Sequence, residues 1–451
     1  HYGRYSYLGF TGTAPDNVLK GQWPVVGSPM SVRVQQADGV KVSFSPAALA
    51  PRSALIAPTE LFSITRMQQD VALLADKDLA GRGLGTAGLE RAADYIAQQF
   101  QAAGLQPGGD DGSYYQTWEQ RVAALDTRVA MKNVVAVLPG SDPRHAGQSL
   151  VIGAHYDHLG RGEYHGHRED RGNIHPGADD NASGVAVLLE LARTLKDRPL
   201  PRTLIFIAFT GEETGKLGSQ HYLRHTGGYP ADSIIAMLNL DTVGRLEDRP
   251  LILFGTGTAD EWVHIFRGAG YVTGVPVKTV ADDFGSSDQT AFIEAGIPAV
   301  QFFSGNHPDF HRPGDTPDKL DHAGLGKVAR VLHETVTYLG ERPEPLSATL
   351  DGARSNAPAN LSATRRVSFG TVPDFTYSGS GVRLDDVRAG TPAQRAGLRS
   401  GDIIIAVNGT PVDGMRAYAE ALRQLKPGDK IRVNFLRDGI EKTLDTRVSE
   451  R

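Results

Sequence analysis

The chain contains 451 residues, carries a formal net charge of −5 at pH 7 and has no cysteine. This length predicts roughly two to four domains with an ample hydrophobic core. The weak negative charge and the absence of Lys/Arg-rich runs argue against a nucleic-acid-binding protein. No apolar stretch approaches the roughly 18 residues of a membrane span.

Residues 1–59 are predicted to be an N-terminal extension, and the sequence does not decide its role. The pair Asp38-Gly39 favours a tight turn, which gives this segment the pattern of a hairpin. Such an extension either covers the mouth of the following domain or forms a small β unit of its own.

Residues 60–340 are predicted to form a doubly wound α/β domain, with a mostly parallel sheet and helices on both faces. Continuous apolar, β-branched runs are typical of buried parallel strands, and they occur at 149–157, 202–213 and 233–241. Helical patterns separate them, beginning with 184–197, where apolar residues recur every three or four positions. Further strands are predicted at 250–255 and 298–303, and a closing helix at 322–340.

Short motifs with oxygen or imidazole ligands recur through this domain: HYD at 155–157, GADDNASG at 177–184, GEE at 211–213, NLD at 239–241 and FHRPGD at 310–315. Isolated acidic residues and histidines at the ends of apolar runs are costly to bury unless they are paired or bound to metal. The carboxyl ends of parallel strands meet at one edge of a sheet. The set therefore predicts a two-metal site at that edge.

The ligand chemistry narrows the choice of metal. Carboxylate and imidazole ligands without sulfur suit zinc, and also cobalt or manganese. A pair of ions shares a bridging carboxylate and a water that becomes hydroxide near neutral pH. A glutamate that is not a ligand must accept the proton of that water. The neighbours Glu212 and Glu213 fit this division, because adjacent side chains at a strand end point in different directions.

These motifs, in this order, resemble the co-catalytic zinc aminopeptidase family, which includes bacterial secreted leucine aminopeptidases, glutamate carboxypeptidases and glutaminyl cyclases. The segment 66–107 also resembles the opening helices and the G-R-x-x-G-T loop of that family. The resemblance implies a role for each of seven residues: His155 and Asp241 on one zinc ion, Glu213 and His311 on the other, Asp180 as the bridge, Glu212 as the general base, and Asp157 as the residue that orients His155.

Several alternatives stay open at this point. Asp179 is an alternative to Asp180 as the bridging carboxylate. Asp241 is alternatively the N-cap of a helix and not a metal ligand. Where the family often has Ser-Asp-His, this chain has Ser-Asp-Gln at 287–289, which leaves the pocket wall near the second metal undecided. Four histidines of one loop are either solvated, beside a ligand or in contact with substrate: His158, His165, His167 and His175. Three phenylalanines either belong to the core or line a specificity pocket: Phe302, Phe303 and Phe310.

A linker is predicted at 341–363, followed by a small β-rich α+β domain at 364–451. Asn408-Gly409 and Asp438-Gly439 are turn signals between alternating apolar runs. The run TPAQRAGLRSGDII (391–404) resembles PDZ domains of bacterial proteases. The resemblance implies a groove that binds a peptide by strand addition, and we expect it beside residues 381–384 with the preceding SGSG as the carboxylate loop. Alternatively, this domain braces or regulates the first one and binds no peptide.

The residues and the resemblance together predict a metal-dependent exopeptidase that removes N-terminal residues from peptides by a bridging-hydroxide mechanism. The alternatives are a glutaminyl cyclase or a carboxypeptidase on the same fold, or a non-catalytic binding protein led by its PDZ domain. Because the chain begins at His1 rather than at methionine, we expect that a leader was removed or the chain trimmed. The resemblance favours a periplasmic or secreted bacterial protein, and the absence of cysteine is compatible with secretion without disulfides.

Overall fold

The computed structural model describes residues 61–350 except 146, 165 and 167, residues 367–450 except 375, 376 and 378, and the pairs 34–35 and 41–42. The chain divides into two compact units, residues 1–60 and residues 61–451. In the first unit, β1 (Val34–Gln35) and β2 (Lys41–Val42) pair in antiparallel fashion on either side of the predicted Asp38-Gly39 turn.

A nine-stranded mixed sheet lies at the centre of the second unit. Its strands are β3 (Gln106–Pro107), β4 (Tyr115–Val122), β5 (Thr127–Leu138), β6 (Ser149–His155), β7 (Thr203–Phe209), β8 (Ile234–Leu240), β9 (Leu251–Phe254), β10 (Val277–Thr279) and β11 (Ala299–Phe303). The order is β10-β9-β11-β8-β6-β7-β5-β3, with β4 paired to β5. The neighbours β11, β8, β6 and β7 are parallel, whereas β3, β4 and β5 on one side and β9 on the other join through antiparallel pairs.

Helices cover both faces of this sheet, which confirms the predicted α/β class. They are α1 (Ile64–Leu74), α2 (Ala87–Ala102), α3 (Gly184–Leu195), α4 (Leu217–Arg224), α5 (Trp262–Thr273), α6 (Gln289–Glu294) and α7 (His322–Glu341). Alternate residues of one strand enter different cores, as the two-residue period of a strand requires. In β7, Leu204 and Phe206 belong to the core beneath α1, α2, α3 and α7, and Ile205 and Ile207 belong to the core that includes Tyr222 of α4 and Phe292 of α6.

Helix α3 is buried around most of its circumference, not along a single stripe as its sequence pattern predicts. It packs between the sheet and its neighbours α1, α2 and α7. Glu190 on this helix is fully buried and pairs with Arg66 of α1 at 2.6 Å. The paired charge explains how a carboxylate is tolerated at this depth.

The C-terminal domain has a hydrophobic core of its own, separate from those of the mixed sheet. The elements of this domain are β12 (Val367–Ser368), β13 (Thr371–Pro373), β14 (Val382–Val387), α8 (Pro392–Arg395), β15 (Ile403–Val407), β16 (Thr410–Pro411), α9 (Met415–Arg423), β17 (Lys430–Arg437), β18 (Ile440–Arg447) and β19 (Ser449–Glu450). Both predicted hairpin turns are confirmed, because Asn408-Gly409 and Asp438-Gly439 have positive φ at both positions, as a type I′ turn requires. The first and last strands, β12 and β19, pair with each other and close the domain.

The predicted position of the peptide groove is wrong. Strand β14 lies between β13 and β15 in the sheet, and Asp374 donates its main-chain N–H to the carbonyl of Arg383. The strand beside residues 381–384 therefore has no free edge for a peptide. Strand β13 is at one edge of the sheet, and α9 lies next to it, since the Thr371 Oγ1 and Tyr418 hydroxyl oxygens are 2.7 Å apart.

Among the helices that the structure describes, none combines the length and the apolar character needed to cross a bilayer.

Candidate metal centre

The predicted ligands meet at the carboxyl ends of the parallel strands. His155 is the last residue of β6, Glu213 follows β7 and Asp241 follows β8. Asp180 lies in the turn that leads into α3, and His311 lies in the loop after β11. Because β7, β6 and β8 are adjacent and parallel, the ends of these strands bring side chains from distant parts of the sequence together.

The carboxylate of Asp180 faces two histidines with its two oxygens. Its Oδ1 lies 3.3 Å from His155 Nε2, and its Oδ2 lies 3.0 Å from His311 Nε2. Asp241 Oδ1 lies 3.5 Å from the same His155 nitrogen, and Glu213 Oε2 lies 3.3 Å from the same His311 nitrogen. The result is two clusters of ligand atoms that share one carboxylate, which is the arrangement that a pair of metal ions requires.

The donor set fits zinc. Asp180, Glu213 and Asp241 are all buried, with exposed fractions of 2%, 7% and 7%. Three carboxylates this close in a buried space repel one another unless cations lie between them. His155, Asp180 and Asp241 form one group whose ligand atoms lie within 4.8 Å of one another, and imidazole with carboxylate is a usual zinc combination.

Asp179, the alternative bridge, points elsewhere. Its Oδ1 accepts hydrogen bonds from the Gly244 N–H at 2.6 Å and from the Ser183 hydroxyl at 3.1 Å. Its Oδ2 lies 3.2 Å from His307 Nε2. These contacts tie the turn to the loop after β8, and they leave Asp180 as the residue of the pair that faces both histidine ligands.

Asp315, the last residue of FHRPGD, holds the main chain of the bridging turn. Its Oδ2 accepts hydrogen bonds from the N–H groups of Asp179 and Asp180 at 2.9 and 3.1 Å. Its Oδ1 lies 3.3 Å from the Arg245 guanidinium. Burial, and next the charge of Asp179, raise the pKa of Asp315 to about 7. The motif FHRPGD contains this residue, but no pattern in the sequence indicated that it binds the main-chain N–H groups of Asp179 and Asp180.

Asp157 lies beside His155 and contacts it mainly through its main chain. His155 Nδ1 is 3.1 Å from the Asp157 carbonyl oxygen and 3.8 Å from its carboxylate. The carboxylate Oδ1 instead accepts a hydrogen bond from the N–H of Glu212 at 3.2 Å. Burial raises the pKa of Asp157. The residue therefore links the first ligand to the strand end that carries both glutamates.

Glu212 and Glu213 lie in the turn after β7 and differ in their burial. Glu213 is buried, with its Oε2 toward His311 and its Oε1 2.8 Å from His158 Nδ1. Glu212 is half-buried, and its surroundings raise the pKa of its carboxyl well above the usual range. Burial raises this pKa most. The charge of His155 lowers it, and the charges of Asp288 and Asp241 raise it. A carboxyl with a raised pKa suits a group that accepts and returns a proton.

Comparison with known proteins finds two family matches within the chain. Residues 133–336, which contain all the predicted ligands, match peptidase family M28, and residues 355–448 match the PDZ domain. The first segment is therefore similar to M28 peptidases, and the second is similar to PDZ domains. The family match begins inside β5 at residue 133, well after the division between the two compact units at residue 60.

The curated relatives of this chain are distant. Aminopeptidase YwaD of Bacillus subtilis (strain 168) is 28% identical over 226 residues, which cover 47% of this chain and 45% of that protein. The chain spans about half the length of the curated relatives it matches.

Solved structures show the same fold. The glutaminyl cyclase of Porphyromonas gingivalis superposes with a TM-score of 0.53 at 20% identity, over 62% of this chain and 99% of that one. The zinc aminopeptidase BSAP of Bacillus subtilis superposes with a TM-score of 0.51 at 18% identity, over 63% and 97%. Since these two names describe different reactions, the fold does not choose between them.

Arg82 is the main residue near the candidate site that the sequence did not indicate. Its guanidinium is fully buried and donates to the main-chain carbonyls of Tyr156, Pro176 and Gly177, and to that of Leu74. Two of these segments carry ligands, because Tyr156 follows His155 and Gly177 opens the turn that holds Asp180. The G-R-x-x-G-T resemblance contained Arg82 but did not indicate its partners.

Gln289, at the position where the family often has histidine, is hydrogen-bonded inside the protein. Its Oε1 accepts from Asn239 Nδ2 at 2.9 Å, and its Nε2 donates to Asp283 Oδ1 at 2.6 Å. A carboxamide accepts and donates at once, so it joins two buried partners. Asn239 lies two residues before the ligand Asp241, and Gln289 thus supports the end of β8.

Two of the four loop histidines are buried, so the interpretation of these residues as solvated is wrong for His158 and His175. His158 lies beside Glu213, as one of the alternatives expected. His165 and His167 lie outside the described residues. Of the three phenylalanines, Phe302 and Phe303 belong to the core, and the half-buried ring of Phe310 stacks on His311 with centroids 4.0 Å apart.

Proposed function

We propose that this chain is a two-zinc exopeptidase that removes N-terminal residues from peptides. The observation that carries the proposal is the orientation of Asp180, whose two oxygens lie 3.3 and 3.0 Å from the imidazoles of two different clusters. The match of residues 133–336 to peptidase family M28 supports a metal-dependent peptidase, and the name of the B. subtilis relative supports an aminopeptidase.

The chemistry divides between the metal ions and Glu212. Zinc ions in such a centre supply Lewis acidity, which polarises a carbonyl oxygen and makes water acidic near neutral pH. The residues that would hold them are His155 and Asp241, Glu213 and His311, and the shared Asp180. The half-buried Glu212 carboxylate accepts a proton from the attacking water and later donates it to the amine nitrogen of the leaving peptide.

Replacement of Glu212 by glutamine tests the assignment of the base. Glutamine keeps the size and the hydrogen bonding of the side chain but cannot accept the proton. We expect kcat to fall by about 10²–10⁴, with zinc content and unfolding temperature unchanged. Near wild-type turnover at full zinc occupancy would contradict the assignment of Glu212.

The reaction itself is tested with one ten-residue peptide in three forms: free, N-acetylated and C-amidated. An aminopeptidase shortens the free and the C-amidated forms from the N-terminus and leaves the N-acetylated form intact. Shortening from the C-terminus would indicate a carboxypeptidase. Pyroglutamate formation from an N-terminal Gln peptide, with one zinc per chain, would indicate a glutaminyl cyclase. Three intact peptides with zinc bound would favour a binding protein.

We further propose that a peptide adds to the edge strand β13 of the PDZ domain, beside α9. Strand addition needs a free edge and an adjacent helix, and β13 has both among the described residues. Titration of the full chain with fluorescent peptides that end in a free carboxylate, against amidated controls, measures this binding. The periplasmic or secreted location stays a prediction, which fractionation of cells that express the native gene would check.

A further inference from the structure

His158 is a fully buried histidine on the wall of the second ligand cluster, and the proposed mechanism does not use it. Its Nδ1 lies 2.8 Å from Glu213 Oε1 and 3.8 Å from Asp180 Oδ1. Its ring meets the ring of His311 edge-on, with centroids 5.8 Å apart and planes at 73°. The side chain thus touches or faces every residue of that cluster.

The main chain around His158 is held on both sides. Its N–H donates to the carbonyl of Arg82 at 3.1 Å, and its carbonyl accepts from the Tyr164 hydroxyl at 2.9 Å. The Tyr164 oxygen in turn accepts from the N–H of Leu84 at 2.8 Å. These bonds fix the position from which the imidazole extends toward Glu213.

The ring itself has little freedom to turn. It lies against Gly177, which has φ of +59°, and a Cβ at that position would come within 2.6 Å of His158 Cδ2 and 2.7 Å of Cγ. Only glycine leaves room for the imidazole there. The close approach packs the ring between the turn that carries Asp180 and the strand end that carries Glu213.

The geometry assigns the proton of this imidazole. A ring nitrogen 2.8 Å from a carboxylate oxygen carries a hydrogen, because two acceptors at that distance repel. Nε2 is buried and has no hydrogen-bond partner among the described residues. His158 therefore has one productive contact, the donation from Nδ1–H to Glu213 Oε1.

This donation determines which oxygen of Glu213 is left for metal. With Oε1 engaged by His158, Oε2 faces His311 Nε2 at 3.3 Å. Hydrogen bonds to a ligating carboxylate orient it, and their loss typically lowers metal affinity about 10–100-fold. We propose that His158 is a positioning residue of the second metal cluster, which holds Glu213 through Nδ1–H and thereby sets the affinity of that cluster for zinc. The inference rests on the two-zinc function proposed above.

The competing role is direct ligation, since the ligand atoms of His158, Asp180 and Glu213 lie within 4.8 Å of one another. Two amide side chains separate the roles. The amide nitrogen of asparagine occupies the position of Nδ1, so His158→Asn keeps the donor but supplies a poor zinc ligand. The amide of glutamine reaches one carbon further, toward the position of Nε2, so His158→Gln misplaces the donor at similar polarity.

Zinc titration of the apo full-length chain by calorimetry, with zinc content measured by mass spectrometry, gives the readout. We expect His158→Asn to bind both ions with affinities close to wild type. His158→Gln and His158→Phe should keep the first ion and bind the second about 10–100-fold more weakly. His175→Phe is the matched control, because His175 is equally buried in the same loop but its Nδ1 faces the Asn173 carbonyl instead of a ligand. This control should bind two ions as wild type does.

Each other outcome overturns the inference in a recognisable way. If His158→Gln binds two ions with wild-type affinity, His158 does not position Glu213. If His158→Asn loses the second ion as fully as His158→Gln does, the imidazole is itself a ligand. If the wild-type chain binds only one ion, the two-zinc function fails, and this inference fails with it. If His158→Phe does not fold, the comparison of His158→Gln with His158→Asn is sufficient for the test.

Discussion

Replacement of Arg82 by methionine should destabilise the fold and loosen the metal centre together. The guanidinium donates to four main-chain carbonyls, those of Leu74, Tyr156, Pro176 and Gly177. Methionine preserves much of the apolar volume but donates no hydrogen bond. The carbonyls of Leu74, Tyr156 and Pro176 then lose their donor, whereas that of Gly177 keeps the N–H of Ala182.

The expected loss follows from two opposing contributions. Each buried carbonyl left unpaired costs about 2 kcal/mol, so the three that lose their donor cost about 6 kcal/mol. Burial lowers the pKa of Arg82 from 12.5 to about 10, which corresponds to a penalty of roughly 3 kcal/mol on the charged form. The substitution removes that penalty along with the hydrogen bonds. The net loss is therefore about 3 kcal/mol, a substantial part of the 5–15 kcal/mol that stabilises a typical domain.

Urea unfolding of the apo chain measures the stability, and zinc titration measures the site. The control is Arg202→Met, because Arg202 is also fully buried and donates to Gln148 and to the carbonyls of Leu339, Arg342 and Pro343, at the end of α7. The control should lose similar stability and keep its zinc affinity. A wild-type midpoint and wild-type zinc binding in Arg82→Met would refute the reasoning. Equal zinc losses in both variants would show that instability alone, not the anchoring of the ligand segments, weakens the site.

Four further predictions concern other parts of the chain. Asp180→Ala should empty both zinc positions, whereas Asp157→Ala should weaken affinity about 10–100-fold; zinc titration separates them, and identical behaviour would contradict the assigned roles. Glu190→Leu should lower the free energy of unfolding by about 2 kcal/mol, because the Ser63 N–H loses a charged acceptor at 2.6 Å; an unchanged urea midpoint would count against this. Deletion of residues 364–451 should spare a two-residue substrate and lower kcat/KM for a ten-residue substrate; equal losses on both would mean that the domain braces the peptidase fold. Burial lowers the pKa of His221 from 6.5 to about 4, so the unfolded chain binds the proton at a higher pH than the folded chain does. Stability should therefore fall as pH drops from about 6.5 to 4. The unfolding temperature of His221→Gln should fall less than that of the wild type between those pH values, and an equal fall would contradict this.

The sequence by itself determined the α/β class and the place where candidate ligands would meet. The apolar runs before His155, Glu213 and Asp241 are long and β-branched, which is typical of parallel strands with both faces covered. The carboxyl ends of parallel strands lie at one edge of a sheet. The positions after these runs therefore indicated the edge that carries the site, whereas the role of each residue came from the resemblance to the zinc aminopeptidase family.

The contacts inside irregular segments were decided only by the tertiary structure. Asp179 and Asp180 are adjacent in a turn, and no periodicity tells which carboxylate faces the histidines. Arg82 and Tyr156 are far apart in the sequence, as are His158 and Glu213, so their hydrogen bonds depend on how loops pack after the sheet has formed. Loops carry no repeating geometry from which such contacts could be inferred.

The same reason explains the misplaced peptide groove. The alternation in residues 382–387 correctly predicts a strand, but a strand pattern is the same at the edge of a sheet and in its interior. The short segment Thr371–Pro373 pairs with β14 and takes the edge. A free edge is a property of the order in which strands pair, which is set by long-range packing and not by the residues of any one strand.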